Sequence, residues 1–277
     1  MRLRPRKQFG QHWLRSDRVL HQIIKAATLR PDDFILEIGP GMGVLTRQLL
    51  PLVAGVIAVE IDRDLCQKLR QNFIDVYHFL LIEGDILAVD VSAEIAAFPQ
   101  FQRPNKVVAN IPYNITGPIL EKLLGTIAHP NPQPFQQMVL LVQKEVADRL
   151  CAKAGSRAFG ALSVRVQYLA DCEQICSVPA QAFFPPPKVD SAVVRLTPRP
   201  PNPAAHNPRL LDQLVKLGFA TKRKMLRNNL TSVVDRDRLI PLLESLNINP
   251  QARAEDLSVA AWVALSNALS EDNTVGE

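Results

Sequence analysis

A glycine-rich segment is the first stretch whose residue types and spacing point to chemistry. The segment ILEIGPGMGVLT (35–46) follows a short apolar run, and its glycines Gly39, Gly41 and Gly43 have the spacing G-x-G-x-G. Loops that bind dinucleotides have the spacing G-x-G-x-x-G, but Val44 stands at that last position. Because glycine lets the backbone approach a ligand closely, the segment favours an adenosine-bearing ligand without pyrophosphate. S-adenosylmethionine is the commonest such cofactor on this kind of fold.

Two carboxylates follow the next two apolar runs of the chain. Glu60 ends the first of them, 21 residues after Gly39, where a carboxylate can accept hydrogen bonds from both ribose hydroxyls. Asp85 ends the second, in the sequence EGDI, where it can accept from the adenine amino group. Ligands of parallel α/β sheets bind at the carboxyl ends of the strands, so this ordered set predicts an S-adenosylmethionine-dependent methyltransferase.

A fourth apolar run ends in Asn110, Ile111, Pro112 and Tyr113. This sequence is similar to the N-P-P-Y and D-P-P-Y motifs of amino-methyltransferases that act on adenine. The 6-amino nitrogen of adenine is a poor nucleophile, and acceptors at the Asn110 amide and the Ile111 carbonyl can hold its hydrogens. Pro112 fixes φ and lacks an N–H, while Tyr113 can stack on the base. The alternative is that Asn110 caps a turn with Tyr113 packed beside it.

The elements that must position these residues alternate along the chain. A helical pattern at 18–27 precedes a series of short apolar runs that are bounded by Gly, Pro or Asp and mostly separated by helical patterns. We predict a Rossmann-like, doubly wound α/β sheet of mainly parallel strands, with QICSVP and SAVVRLTP adding an antiparallel pair at one edge. The predicted parallel strands lie at 34–39, 55–61, 79–85, 106–112 and 137–143.

A proline-rich connector at 197–209 marks a domain boundary. We predict a catalytic domain at 1–200 and a smaller, all-helical domain at 201–277. Helical patterns in the second domain include Leu210 to Leu217 and a run through Met225, Leu226 and Leu230.

Basic residues cluster near both ends of a chain whose formal net charge is +5. They predict contact with a polyanion such as RNA, and the alternative is that they only solvate helix faces. The candidate contacts are Arg6 and Lys7 near the start and Lys222, Arg223, Lys224 and Arg227 towards the end.

Several classes of protein are disfavoured by the composition. No apolar run approaches the ~18 residues needed to span a bilayer, and no apolar segment of a secretory signal follows the basic start. The four cysteines are scattered and complete no zinc set with histidines, so we predict no metal and a reducing, cytoplasmic location.

Over most of its length the chain closely resembles the KsgA-type ribosomal RNA adenine dimethyltransferases. The proline segment and the C-terminal basic motif are the most specific of the shared motifs. These motifs are RKQFGQHWL (6–14), EIGPGMGVLT (37–46), VEID (59–62), EGD (83–85), NIPYNITGPIL (110–120), QKEVADRL (143–150), FFPPPKVDSAVVRL (183–196) and ATKRKMLRNNL (220–230).

The resemblance implies dimethylation of two adjacent adenosines in the 3′-terminal hairpin loop of 16S rRNA, with S-adenosylmethionine as donor. It also implies a helical domain that helps to recognise the immature small ribosomal subunit. Phe183 is expected to be a second base-stacking ring opposite Tyr113, and Phe184 a core residue. Cofactor contacts are expected at His12, Leu14, Gly39, Gly41, Glu60, Asp85 and Asn110. His12 departs from the asparagine that is usual in the family's Q-N-F-L motif.

Two other functions compete with this one, and a third is disfavoured. The sister family that dimethylates a single adenosine of large-subunit rRNA lacks the longer proline segment and the KRKMLRNNL motif. A non-catalytic RNA-binding assembly factor would be expected to lose Asn110, Tyr113 or a loop glycine, and all are present. A nicotinamide-dependent oxidoreductase is disfavoured by the glycine spacing. We further expect the protein to act as a monomer.

Overall fold

The computed structural model describes residues 5–6 and 9–274, with the backbone alone for 272–274. The chain divides into two compact units. The first unit contains the residues up to Leu123 together with Gln133–Ala147 and Glu173–Pro198, and the second contains Leu124–Pro132, Asp148–Cys172 and the residues from Arg199 onward. The last segment of the second unit begins at Arg199, close to the predicted boundary at residue 200, but this unit also includes two segments from within the predicted catalytic domain.

A seven-stranded sheet forms the core of the first unit, in the order β4-β3-β2-β5-β6-β9-β7. Strands β2 to β6 pair in parallel, whereas β9 runs antiparallel to β6. The predicted strands and the addition of two later strands at one edge are therefore confirmed. The strands of this sheet are β2 (Phe34–Ile38), β3 (Gly55–Glu60), β4 (Phe79–Glu83), β5 (Lys106–Asn110), β6 (Gln137–Gln143), β7 (Ala170–Val178) and β9 (Ser191–Pro198).

Helices alternate with the parallel strands and make up most of the second unit. In chain order they are α1 (Asp17–Ala27), α2 (Val44–Leu49), α3 (Arg63–Asn72), α4 (Val91–Ile95), α5 (Thr116–Leu124), α6 (Lys144–Leu150), α7 (Ala161–Leu169), α8 (Pro208–Gly218), α9 (Leu226–Asn229), α10 (Arg236–Ser245) and α11 (Val259–Thr274). Short 3₁₀ turns occur at Leu50–Leu52, Tyr113–Ile115, Ala180–Ala182 and Ala254–Asp256.

The strand order reverses between β2 and β5. The chain proceeds from β2 to β3 and β4 on one side, and then returns to place β5 on the other side of β2. At such a switch point the loops after the two central strands diverge and leave a crevice at the carboxyl ends of the strands. The glycine segment follows β2 and Asn110 ends β5, so the fold brings both to this crevice.

A separate antiparallel ribbon joins the start of the chain to the proline segment. It consists of β1 (Trp13–Leu14) and β8 (Phe183–Phe184), with Trp13 opposite Phe184 and Leu14 opposite Phe183. Leu14 and Phe183 are 6% and 4% exposed and belong to a hydrophobic cluster that includes Val19 of α1. One face of the ribbon is therefore anchored in the core.

Trp262 lies at the centre of the helical second unit. Its side chain is fully buried, and its ring centroid lies 5.8 Å from that of Phe219. A Cβ atom on Gly218 would lie 2.4 Å from Trp262 Cη2, so the close packing of α8 against α11 requires glycine at this position. The predicted helical character of this part of the chain is confirmed, and residues 221–224 form a turn between α8 and α9.

Among the described residues, no helix combines the length and apolar character that crossing a membrane requires.

Candidate functional site

A cavity opens at the carboxyl ends of β2, β3, β4 and β5. All of the predicted cofactor residues except Leu14 line it, together with the strand-end motif. The predicted residues in its wall are His12, Gly39, Gly41, Glu60, Asp85, Asn110, Ile111, Pro112 and Tyr113. The structure thus brings together residues that are up to 101 positions apart in the sequence, from His12 to Tyr113.

The three loop glycines adopt backbone conformations that other residues rarely adopt. Gly39, Gly41 and Gly43 have φ angles of +66°, +57° and +74°. A Cβ atom on Gly43 would also lie 2.8 Å from the ring of Phe73, whereas at Gly39 the positive φ rather than a lack of space favours glycine. The glycines therefore let the loop turn at the end of β2, and Gly43 lets α2 begin without a clash against Phe73.

The Glu60 carboxylate is held in the wall of the cavity by backbone N–H groups. The N–H of Gly41 donates to Oε2 at 3.1 Å and that of Asp62 donates to Oε1 at 3.0 Å, while the residue is 5% exposed. Burial raises the pKa of this carboxyl above its ordinary value, and the backbone donors oppose that shift. Each oxygen retains a lone pair, so the group can accept two further hydrogen bonds from a ligand diol.

A second buried carboxyl, Glu37 of β2, was missed by the sequence analysis. It is 1% exposed, and the Thr46 hydroxyl donates to its Oε2 at 2.7 Å. Burial raises its pKa to about 8, so it is mostly protonated at neutral pH and adds little negative charge beside Glu60. The sequence does contain a sign of this buried carboxyl, because Glu37 lies within an apolar run. A carboxyl in such a run must find a buried partner or lose its charge.

Asp85 lines the cavity from the loop after β4. Strands β3 and β2 separate β4 from β5, which ends in the strand-end motif. Its Oδ1 accepts from the N–H of Leu87 at 2.9 Å, and its backbone oxygen accepts from the N–H groups of Ala88 and Val89, both at 2.9 Å. This turn fixes the side chain and leaves the second carboxylate oxygen available to a ligand donor.

Asn110 is oriented by a hydrogen bond to the N-terminal segment. Its Nδ2 donates to the backbone oxygen of His12 at 3.2 Å, and this use of the amide nitrogen leaves the amide oxygen able to accept a hydrogen bond from a ligand in the cavity. The next residue, Ile111, donates its N–H to the Leu141 oxygen at 3.1 Å and so remains tied to β6. Pro112 then turns the chain away from the sheet, with φ −56° and ψ 129°.

Tyr113 is held by contacts at its hydroxyl and on its ring. The hydroxyl lies 2.6 Å from Oγ of Ser191, which is fully buried, and the ring of His12 lies nearly parallel with centroids 5.7 Å apart. The His12 Nδ1 lies 2.7 Å from the Pro185 oxygen, and since a carbonyl only accepts, Nδ1 carries the hydrogen. Burial raises the pKa of the Tyr113 phenol, so it remains a neutral ring at physiological pH. Ser191 was quoted within the proline motif but was not predicted to be a site residue.

The two phenylalanines before the proline segment differ in burial, in the opposite sense to that expected. Phe183 is 4% exposed within the hydrophobic cluster and is not among the residues that line the cavity, and its role as a base contact stays a prediction. Phe184, predicted to be in the core, is 43% exposed. Leu14 pairs with Phe183 on the buried face of the ribbon, which is why its side chain is absent from the cavity wall.

The predicted RNA contacts have different environments. The guanidinium of Arg6 pairs with Asp62, at 3.3 Å from Oδ1, and with Asp64, so its charge is already balanced within the protein. Lys7 lies outside the described residues. In the second unit Lys222, Arg223 and Lys224 are exposed on the turn after α8, whereas Arg227 is half-buried.

Comparisons with known proteins agree with this geometry. The family model described as ribosomal RNA adenine dimethylase matches residues 2–271. The chain is 67% identical over 267 residues to the ribosomal RNA small subunit methyltransferase A of Trichormus variabilis, which covers 96% of this chain and 98% of that protein. It is 58% identical to the protein of the same name from Picosynechococcus, over 97% and 98% of the two chains.

The chain belongs to the ribosomal RNA adenine dimethylase family. It is an S-adenosylmethionine-dependent rRNA adenine dimethyltransferase.

Solved structures of this family share the fold. A dimethyladenosine transferase from Plasmodium falciparum matches with a TM-score of 0.78 at 28% identity, over 96% of this chain and 98% of that one. The 23S rRNA methyltransferase ErmE matches with a TM-score of 0.72 at 26% identity, over 93% and 99%. The predicted Rossmann-like sheet with C-terminal helices is therefore confirmed.

The cavity of this dimethyltransferase fits an adenosine-bearing cofactor. The buried Glu60 carboxylate offers acceptors for a diol, and the left-handed glycines keep the loop after β2 free of side chains. The Trp13 indole Nε1 in the cavity wall is buried and has no hydrogen-bond partner among the described residues. When bound, S-adenosylmethionine supplies an electrophilic methyl group on its sulfonium.

Proposed function

We propose that this dimethyltransferase acts on two adjacent adenosines in the 3′-terminal hairpin loop of 16S rRNA. Each 6-amino group would receive two methyl groups during biogenesis of the small ribosomal subunit. The observation that carries the proposal is the strand-end motif at β5, which lines the same cavity as Gly39, Glu60 and Asp85. A cofactor site and an adenine site thus share one crevice.

Within this proposal, positioning does most of the catalysis. The amide oxygen of Asn110 and the backbone oxygen of Ile111 accept hydrogen bonds from the two amino hydrogens of the target adenine. This arrangement draws the nitrogen lone pair out of conjugation and aims it at the methyl group. Tyr113, fixed by Ser191 and His12, stacks on the base once it has left its loop. The methylated nitrogen is acidic and releases its proton to water, so no strong general base is required.

The cofactor residues are assigned on the same basis. Glu60 accepts from the ribose hydroxyls, Asp85 accepts from the cofactor's adenine amino group, and the backbone at Gly39 and Gly41 approaches the ligand closely. His12 contributes from the N-terminal segment. Leu14 acts only through the ribbon that holds this segment in place, because its side chain is buried.

The small subunit is favoured as the target by sequence similarity rather than by fold. Several relatives that are 56–67% identical to this chain carry the name ribosomal RNA small subunit methyltransferase A. ErmE, whose name refers to 23S rRNA, has a similar fold at only 26% identity. We therefore propose the immature small subunit as partner, with Lys222, Arg223 and Lys224 as its contacts in the second unit and with a monomeric, cytoplasmic protein.

Primer extension across the 3′ end of small-subunit rRNA tests the target. RNA from a deletion strain should lack the two adjacent stops seen in the parent, and a plasmid copy should restore them. Purified protein with S-adenosylmethionine should methylate small subunits from the deletion strain and leave large subunits unmodified. Unchanged stops in the deletion strain, or methylation of large subunits alone, would remove the proposed target.

A further inference from the structure

An exposed arginine–phenylalanine pair lies on the ribbon formed by β1 and β8. The guanidinium carbon of Arg15 is 4.0 Å from the ring centroid of Phe184, and yet 43% of the Phe184 side chain remains exposed. Arg15 is itself exposed and forms no ion pair with an acidic side chain among the described residues. The pair therefore presents an apolar ring together with a positive charge that the described part of the protein does not balance.

The register of the ribbon places this pair on the cavity side. Residues directly opposite each other in an antiparallel pair point to the same face, and Phe184 lies opposite Trp13, which lines the cavity. Arg15 is two residues beyond Trp13 and so projects in the same sense. The residue after Phe184, Pro185, accepts the hydrogen bond from His12, whose ring lies against Tyr113.

We propose that Arg15 and Phe184 hold the nucleotide next to the target adenosine. This inference rests on the proposed function, in which a single-stranded RNA loop presents two adjacent adenosines. If Tyr113 stacks on one base, its neighbour must lie just outside the cavity. There Phe184 would stack on the neighbouring base and Arg15 would contact its phosphate. An aromatic face beside a basic group is the usual combination for binding single-stranded RNA.

The neighbouring phenylalanine cannot take this role without leaving the core. Phe183 points to the opposite face of the same two-residue strand, where it packs with Leu14 and Val19. The site therefore belongs to a residue that is adjacent in sequence to the one expected to stack on RNA. It also adds Arg15, which no motif identified as a contact.

The proposed role of Arg15 and Phe184 can be tested by measuring binding to small ribosomal subunits. These subunits are taken from a strain that lacks the modification. Phe184→Leu keeps an apolar side chain and removes the ring, and we expect it to weaken binding by about fivefold to a hundredfold at one salt concentration. Arg15→Gln should weaken binding and reduce the slope of log affinity against log salt by about one, whereas Phe184→Leu should leave that slope unchanged. Since the two side chains would hold one nucleotide, the double variant should lose less than the product of the two single losses.

Phe98→Leu is the matched control. Phe98 is 39% exposed and precedes β5, at the opposite edge of the sheet from the cavity, so this variant should bind as the wild type does. Affinity for S-adenosylhomocysteine and the melting temperature should be unchanged in all of these variants. Subunit binding within twofold of the wild type in both Phe184→Leu and Arg15→Gln, or an equal loss in Phe98→Leu, would overturn the pair. A wild type that binds these subunits without methylating them would instead overturn the proposed function, because the affinities of the variants would still report on the pair.

Discussion

The cavity of the first unit and the basic turn of the second unit illustrate two ways of preparing a surface for RNA. In the cavity, three polar side chains that line it are already held by hydrogen bonds: Glu60 by two backbone N–H groups, Asn110 by His12, and Tyr113 by Ser191. In the turn at 221–224, the three cationic side chains are exposed. Asn229 Nδ2 ties the backbone at the start of this turn, because it donates to the oxygen of Thr221 at 3.1 Å and to that of Gly218, at the end of α8, at 2.6 Å.

This difference matches the different requirements of the two proposed tasks: methyl transfer depends on precise geometry, whereas RNA attraction depends on charge. Methyl transfer needs a nitrogen lone pair aligned to within a fraction of an ångström, so its residues must be rigid before the substrate arrives. Phosphate attraction acts over a Debye length of about 8 Å at physiological salt and tolerates mobile side chains. Changes in the cavity should therefore act mainly on turnover, and changes in the turn mainly on salt-dependent affinity.

The largest effect is expected from Asn110→Ala. This change removes an acceptor for the target amino group and also the hydrogen bond to the His12 oxygen. We expect methyl transfer to small subunits to fall by at least about a hundredfold, because loss of one well-placed hydrogen-bonding group in an active site typically has that effect. Single-turnover rates with radiolabelled cofactor measure it, alongside subunit binding, which should stay near wild type.

Asn110→Asp is the informative companion to this variant. It retains an acceptor oxygen but replaces the donor that holds His12 with a second oxygen. Activity in Asn110→Asp well above that of Asn110→Ala would show that the acceptor is the essential group. Near-normal dimethylation by Asn110→Ala would refute the proposed role of this side chain.

The residues of the cavity could be predicted from the sequence better than the structure of the turn at 221–224. Apolar runs such as VVAN at the end of β5 are visible because strands buried on both faces admit few polar residues, and the strand ends then locate Glu60, Asp85 and Asn110. The turn at 221–224 was not predicted, since the leucine spacing on either side of it does not show where one helix ends and the next begins.

Tertiary partners explain what the sequence left out. Phe183 and Phe184 are chemically identical neighbours, and only their pairing with Leu14 and Trp13 determines which one faces the core. Ser191 lies within hydrogen-bond distance of Tyr113, 78 residues earlier in the chain. The buried Glu37 likewise accepts a hydrogen bond from the Thr46 hydroxyl. A pattern read along one segment contains no information about such pairs.

A smaller, salt-dependent effect is expected from neutralising the turn. Replacing Lys222, Arg223 and Lys224 with glutamine should weaken small-subunit binding by about tenfold near physiological salt. It should also lower the slope of log affinity against log salt by up to about three, because each phosphate contact releases roughly one counterion. Titrations at several salt concentrations measure both quantities, and single-turnover methylation at saturating protein should be little changed.

A charge-matched triple variant separates location from total charge. Arg209, Lys216 and Arg236 are exposed on α8 and α10, so their replacement with glutamine removes the same formal charge from other surfaces of the second unit. Equal changes in slope for the two triple variants would mean that only net charge matters, and the turn would lose its special role.

The smallest effect on activity is expected from removing the neutral hydrogen bond between Tyr113 and Ser191. Ser191→Ala removes the partner that lies 2.6 Å from the Tyr113 hydroxyl, and Tyr113→Phe removes the same bond from the other side while keeping the ring. A neutral hydrogen bond is worth about 0.5–1.5 kcal/mol, so each variant should lose roughly two- to tenfold in turnover at saturating substrate. Because both changes break one interaction, the double variant should be no slower than the slower single variant.

Additive losses, or a loss confined to cofactor affinity, would show that Ser191 does not act by positioning Tyr113. If neither single variant affects turnover, the ring is fixed well enough by His12 and the Pro112 turn alone, and rigidity of the hydroxyl is not what distinguishes the cavity from the turn.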